Sequence, residues 1–367
     1  MGYKMRIVIA HQTVAVHDAV GNDIEQMYLL LKSKYECYVY AQNGLNNQIQ
    51  YIDKSQLEMV LSEKDSVLIY HHSVYWEEGQ AILDKARGQV VIRYHNVTPS
   101  EFFESYSQLH YAQCKKGREQ TALFVERYPH AVWLCDSEYN EQDILGVPKE
   151  RRYICPPFNK ISEWESIIPE ENTLRKLIES ENIQILFVGR VAPNKGHIFL
   201  LDILRTFRSN YGDGIHLNVL GKMDESLAEY NDEIEEYLTR YRLREQVSFV
   251  GEMTDEKMAA YYLGCDFFVC VSEHEGFCVP ILEAQYFGLP IVALDVCAVP
   301  DTGGDGQILL EKDEKKFAAA LRVLGTDKKG YEYVRNKGFE NIQTRMAYAT
   351  IKETFEEFCE KVLEVER

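Results

Sequence analysis

The feature that most constrains this chain is an alternation that runs through it twice. Short apolar stretches are each succeeded by a segment whose apolar residues recur at helical spacing, and a proline-paired break at Cys155-Pro156-Pro157-Phe158 separates the two series. In the first half the apolar runs fall at 6–10, 35–40, 67–70, 90–94 and 131–135, with helical patterns at 23–32 and 77–85. In the second they fall at 183–188, 216–220, 247–250, 266–271, 290–294 and 307–310, with helical patterns at 197–207, 224–241 and 255–263. Apolar runs of this kind suit strands buried on both faces, and helices between them are the crossovers that a parallel sheet needs. The pattern predicts an α/β chain of two Rossmann-like parallel-sheet domains, at 1–157 and 158–345, and then a helical segment at 346–367. In that last segment Ile351, Phe355, Phe358 and Val362 make one apolar stripe that requires a partner surface. A length of 367 residues is enough for two cores.

Charge narrows the function. A formal net charge of -18 argues against general nucleic-acid binding, which needs a basic surface. Short basic clusters at Lys115, Lys116 and Arg118, and at Lys149, Arg151 and Arg152, read either as peripheral contacts to an anionic membrane or as solvated faces. The nine cysteines show no C-x-x-C pair and no Cys/His ligand spacing, so reduced thiols in a cytoplasmic protein are expected and a zinc site is not. No apolar run approaches the roughly 20 residues of a membrane span, and the start of the chain does not read as a signal peptide. The expectation is a cytoplasmic protein, in contact at most with the inner face of the cytoplasmic membrane.

In doubly wound sheets ligands bind beyond the carboxyl ends of the strands, so the residues just past each strand are the informative ones. After the run at 266–271 come Ser272-Glu273-His274-Glu275-Gly276-Phe277-Cys278-Val279-Pro280, with Glu283 one turn into the helix that Pro280 opens. Amides of Gly276, Phe277 and Cys278 at a helix start suit a phosphate, and carboxylates that only accept hydrogen bonds suit sugar hydroxyls. The same glutamates also read as a helix-start charge and a solvated loop residue. After the run at 183–188, Arg190 and Lys195 flank a proline-containing turn where a diphosphate would be neutralised, though two loop cations are also ordinary surface charges. In the first half Gly21 stands at a helix start, and His11, the pair His71 and His72, and His95 stand at predicted strand ends. His95 reads as a group facing the ligand or as a capped histidine, and the others as weaker candidates for an acceptor wall.

Gly189-Arg190 with Lys195-Gly196, the two glutamates separated by seven residues at Glu275 and Glu283, and the turn Phe287-Gly288-Leu289-Pro290-Ile291-Val292-Ala293 resemble the signatures of retaining glycosyltransferases of the GT-B fold, family four, the group 1 glycosyltransferases. The resemblance implies two Rossmann-like domains facing across a cleft and transfer of a hexose-type sugar from a nucleotide diphosphate sugar to an acceptor hydroxyl with retention. It implies that Arg190 and Lys195 bind the diphosphate, Glu275 holds sugar hydroxyls and Glu283 the ribose, and that the amides of Gly276, Phe277 and Cys278 complete a phosphate cradle. Gly21 and His95 would be the first domain's contributions, His95 through its ring and carbonyl, and the terminal helix would cross back to the first domain. No metal and no cofactor beyond the donor is implied. The acceptor would be a saccharide or lipid-linked saccharide in surface polysaccharide or glycolipid assembly, approached through loops including 98–120, whose Phe102, Phe103, Tyr106 and Tyr111 read as a sugar or lipid path and equally as core residues. Two departures stand out: Gly21-Asn22 replaces a glycine pair, and Asp295-Val296-Cys297-Ala298 lacks another. A nucleotide-sugar 2-epimerase and a non-catalytic two-lobed sugar-binding protein are the competing readings. The nucleotide, the sugar, the linkage and the oligomeric state are left open.

Overall fold

A computed structural model describes residues 5–16 and 18–363. The chain forms two compact units. The first comprises Ala112–Lys160 with the chain before Ser100 and after Ala347, and the second comprises Ser100–Tyr111 and Ile161–Ala347. Each is built on a six-stranded sheet whose neighbouring strands all run parallel. Among the described residues, no helix is long and apolar enough to cross a membrane.

In the first unit the strands are β1 (Arg6–Val14), β2 (Glu36–Gly44), β3 (Val67–His72), β4 (Gln89–Tyr94), β5 (Val132–Cys135) and β6 (Arg152–Ile154), in the order β2-β1-β3-β4-β5-β6. Successive residues of β1 point to opposite faces, so Ile7 and Ile9 join one core and Val8 and Ala10 the other. The first core is closed by the terminal helix, Tyr348–Val362, whose Ile351, Phe355 and Phe358 recur at i, i+4 and i+7 and pack in it. Phe355 meets Phe158 edge-on at 5.5 Å. The second core holds Tyr70, Tyr94 and Trp133.

In the second unit the strands are β7 (Ile183–Val188), β8 (Ile215–Leu220), β9 (Val247–Gly251), β10 (Phe267–Cys270), β11 (Ile291–Leu294) and β12 (Gln307–Leu310). Their order, β12-β11-β10-β7-β8-β9, is the Rossmann order read from either edge. Chain direction across the sheet reverses between β7 and β10. That is the switch point, where diverging loops leave a crevice at the carboxyl ends.

Several expectations shift. β1 extends to Val14, so His11 lies inside a strand and not at its end. The segment expected as loop 98–120 is a 3-10 turn, Ser100–Phe103, and then a helix over Gln108–Arg127. Its cations are engaged locally: Arg118 makes a two-pronged pair with Asp143 (2.8 and 3.0 Å), and Lys116 lies 5.3 Å from the Tyr75 ring centre. The basic cluster Lys115, Lys116 and Arg118 therefore has one of its three charges neutralised within the unit. No disulfide joins any of the nine cysteines.

Candidate functional site

At the switch point of the second unit, two of the expected charged residues, Lys195 and Glu275, meet. From β7 the chain passes Gly189 and Arg190 and makes a single 3-10 turn, Pro193–Lys195, before the helix His197–Tyr211. Gly196 sits between them at φ 72°, and a side chain there would place Cβ 2.4 Å from the carbonyl oxygen of Val271, so only glycine lets this turn close on the end of β10. The turn aims Lys195 at the neighbouring loop, where its Nζ lies 2.6 Å from Glu275 Oε1. Both side chains keep contact with water, at 19% and 13% exposure. Burial disfavours the lysine charge, but the Glu275 carboxylate leads the influences that outweigh it, so the Lys195 pKa lies above the ordinary value and the ammonium is secure at neutral pH. The two loops are also joined through their backbones, since Glu273 N–H donates to the carbonyl of Asn194 at 2.8 Å.

Glu283 lies on the helix Val279–Tyr286, on the side facing Tyr262, whose hydroxyl donates to Glu283 Oε2 at 2.7 Å. Burial raises its pKa, and Asp255 adds to this while the Tyr262 hydrogen bond opposes it. Ahead of this helix, Cys278 takes φ 79°, a left-handed conformation unusual for a residue with a side chain. Its Sγ is 3.8 Å from Cys270 Sγ, and the Cys270 contact, with burial next, pushes its thiol well above the ordinary range. It is a protonated, packed thiol. Phe277 is buried beside Trp164 and Leu282, so only its backbone is available to a ligand. Arg190 is exposed and makes no hydrogen bond to Lys195 or Glu275 among the described residues. Asp224, held below the ordinary carboxyl range mainly by the Ser226 hydroxyl, feels Arg190 as a smaller influence.

The lack of a glycine pair in the stretch from Asp295 to Asp301 does not break the turn. Cys297 itself adopts φ 55°, its thiol donates to the Glu273 carbonyl at 3.5 Å, and Ala298 N–H donates to the Glu275 carbonyl at 3.4 Å. These residues brace the Glu275 loop from behind. Neither their spacing nor their types signal this role, and nothing in the sequence marks Tyr262 as the partner of Glu283.

The first unit holds its histidines differently. His95 Nδ1 lies 2.8 Å from Asp136 Oδ2 and its Nε2 lies 2.8 Å from His71 Nδ1, with 5% of the side chain exposed. Both ring nitrogens are thus engaged inside the unit. Beside them Arg93 is buried between Asp23 (2.9 Å) and Asp136 (2.9 Å) and donates to the carbonyl of Cys155 at 2.8 Å. His11 contacts the His71 carbonyl at 2.9 Å and His72 the Thr121 hydroxyl at 2.8 Å; both are buried, which removes them as an open wall. Burial lowers the His11 pKa to about 4 and the His72 pKa to about 3. Gly21 is also held locally. It lies in the first turn of the helix Ala19–Lys34, its N–H donates to the Asp18 cap at 3.0 Å, and a Cβ would sit 2.1 Å from the Ala15 carbonyl oxygen. It is glycine because the chain passes close to itself, and its amide is already used.

With this geometry in hand, comparison with known proteins is informative. Residues 170–341 match the family model described as glycosyl transferases group 1. Among curated relatives, the chain is 27% identical over 218 residues to the D-inositol 3-phosphate glycosyltransferase of Geodermatophilus obscurus, covering 57% of this chain and 47% of that one. It is 19% identical over 331 residues to the capsular polysaccharide biosynthesis glycosyltransferase CapH of Staphylococcus aureus, covering 85% and 88%. The chain spans about half the length of the first curated relatives it matches. Among solved structures, the Anabaena protein HepE crystallised with UDP superposes with a TM-score of 0.77 at 15% identity, covering 97% of this chain and 100% of that one, a likeness of fold. The two parallel sheets are thus those of the GT-B fold, and residues 170–341, with the loops that carry Lys195, Glu275 and Glu283, are the part of the chain that is similar to the group 1 glycosyl transferases.

Proposed function

We propose that the protein is a retaining glycosyltransferase that moves a hexose-type sugar from a nucleotide diphosphate sugar to the hydroxyl of a saccharide or lipid-linked saccharide, in the assembly of a surface polysaccharide or glycolipid. The observation that carries the proposal is the partly exposed Lys195–Glu275 pair at the switch point of the second sheet. A cation and an acceptor side by side suit the two halves of such a donor, a diphosphate and a ring of hydroxyls. Lys195 and the long side chain of Arg190 would neutralise the diphosphate, with the amides of Gly276, Phe277 and Cys278 beside them. Glu275 would accept from the transferred sugar and Glu283 from the ribose. His95, with its ring engaged, has its main chain to offer, and Gly21 shapes its turn without donating to the ligand.

As the glycosidic bond breaks, negative charge grows on the leaving diphosphate, and fixed cations stabilise that charge more than they stabilise the bound donor. The acceptor hydroxyl then attacks on the face from which the diphosphate departs, and a phosphate oxygen takes its proton. The proposal needs no cofactor besides the donor. It places the protein in the cytoplasm, with a lipid-linked acceptor at the inner membrane face.

The test is incubation with a panel of UDP, GDP and ADP sugars, with and without saccharide acceptors, reading the release of nucleoside diphosphate and the anomer formed. Release with an α-donor and an α-product supports the proposal. A new nucleotide sugar formed without acceptor would establish the epimerase instead, and failure of every donor to bind or turn over would overturn the reading of the site.

A further inference from the structure

We propose that a cavity of about 330 Å³ in the second unit, outside the Lys195–Glu275 pair, is a subsite for one pyranose ring of the acceptor saccharide. The inference rests on the transferase reading and names a part of the substrate that the donor residues do not touch. The cavity lies within the size range of small-molecule sites, roughly 300–1,000 Å³. It adjoins the donor loops directly: Pro193 and Gly196, on either side of Lys195, line it, and so does Glu273, two residues before Glu275.

Its lining has the two surfaces that a pyranose needs. A sugar ring presents an apolar C–H face and a rim of hydroxyls. Four aromatic side chains line the cavity; Phe102 and Tyr106 are half-buried and can cover the first, while Phe199 and Tyr230 are buried behind them, Phe199 with Lys312 over its ring. Phe102 and Tyr106 come from Ser100–Tyr111, the one stretch of the first sequence half that belongs to this unit. Tyr106 is held in place by an edge-on contact with Tyr230 at 5.0 Å and by donating to Glu233 Oε2 at 2.8 Å. For the hydroxyl rim there are three carboxylates, Asp202, Glu233 and Glu273, and one ammonium, Lys312.

Charge decides between a sugar and a cation, which aromatic rings and carboxylates would also suit. Glu273 is paired with Lys312 at 2.7 Å, and Asp202 is bonded to Arg205 at 2.9 Å and to the Tyr237 hydroxyl. Two of the three carboxylates are therefore already neutralised by protein cations. What the cavity offers is hydrogen-bonding capacity with little net charge, which matches a neutral polyol.

The experiment is saturation-transfer NMR on the full chain with UDP present and a panel of methyl α-hexopyranosides at millimolar concentration, for wild type, Phe102→Ala and Glu233→Gln. Folding of each variant is read from its melting temperature, and occupancy of the donor site from the UDP-induced rise in that temperature. The expected result is transfer to at least one glycoside in wild type, weakened about tenfold in both variants while the UDP-induced rise persists. Absence of transfer to every glycoside, or undiminished transfer in both variants, overturns the proposal. So does displacement of the glycoside by tetramethylammonium, which would make the cavity a cation site. A rise missing in wild type with UDP, GDP and ADP alike, with glycoside transfer intact, would instead count against the donor reading and support the saccharide pocket.

Discussion

Near the end of β4, Arg93 lies between Asp23 and Asp136 with its side chain fully shut off from water; beyond β7 and β10, Lys195 faces Glu275 with 19% and 13% of their side chains exposed. Both clusters sit toward the carboxyl ends of parallel strands, and both are built from one or two carboxylates around a cation. They differ in what is left over. Arg93 already serves Asp23, Asp136 and the Cys155 carbonyl, and Asp23 also accepts from the amide of Phe158 at 2.8 Å, so this cluster ties strands and linker together away from water. Lys195 has three donors, one carboxylate partner at Glu275 and a side chain that keeps 19% of its surface exposed. Position at the strand ends nominates a site, and accessible unused hydrogen-bonding capacity is what separates a binding pair from a structural one.

That contrast can be broken by experiment. The largest effect is expected from Arg93→Met, which leaves Asp23 and Asp136 buried without their cation and should cost about 3–5 kcal/mol of unfolding free energy in denaturant titrations. Lys195→Met should reverse the pattern, lowering sugar transfer roughly 10²–10³-fold while the denaturation midpoint moves little. If the two variants exchange phenotypes, the division between a structural and a binding cluster is wrong.

A third comparison uses pH. The His11 pKa falls from 6.5 to about 4 because the ring is buried, so between those values the unfolded chain binds a proton that the folded chain refuses. Stability from this group is complete above pH 6.5 and is lost as pH falls toward 4, and His11→Asn should flatten that part of the stability profile. The smallest effect belongs to Glu283, whose raised pKa has the opposite sign. Its folded form holds a proton above the ordinary carboxyl range, so stability declines as pH rises from that range through the folded pKa and then levels. Glu283→Gln should remove the decline and weaken donor binding more than turnover; a main loss in turnover would merge its role with that of Glu275.

Much of the second unit is legible in the sequence because its signals are local. Apolar runs alternating with helical spacing read as parallel strands, and Lys195, Glu275 and Glu283 stand just past strand ends, where topology puts ligands. The first unit is harder to read. The histidine at 11 resembles the end of a strand that in fact continues to Val14, and the glycine at 21 resembles part of a ligand loop although its space is filled by the Ala15 carbonyl. The expected aromatic loop is mostly the helix Gln108–Arg127, and the 3-10 turn before it belongs to the other unit. No window of sequence shows that Asp136 is the partner of His95, because 41 residues separate them.

The sequence by itself determined eleven of the twelve strands, several of the helices between them and the charges at their ends, but not β6 or the helix Gln108–Arg127, since periodicity and turn chemistry act over a few residues. Tertiary structure alone decided which charges remain available. Burial, and the partner that folding brings to each side chain from far along the chain, closed the ring of His95 between Asp136 and His71, and left Lys195 and Glu275 paired at the edge of water. Desolvation and hydrogen-bond satisfaction are properties of packed neighbours, and these are fixed only when the sheet brings separate strand ends side by side.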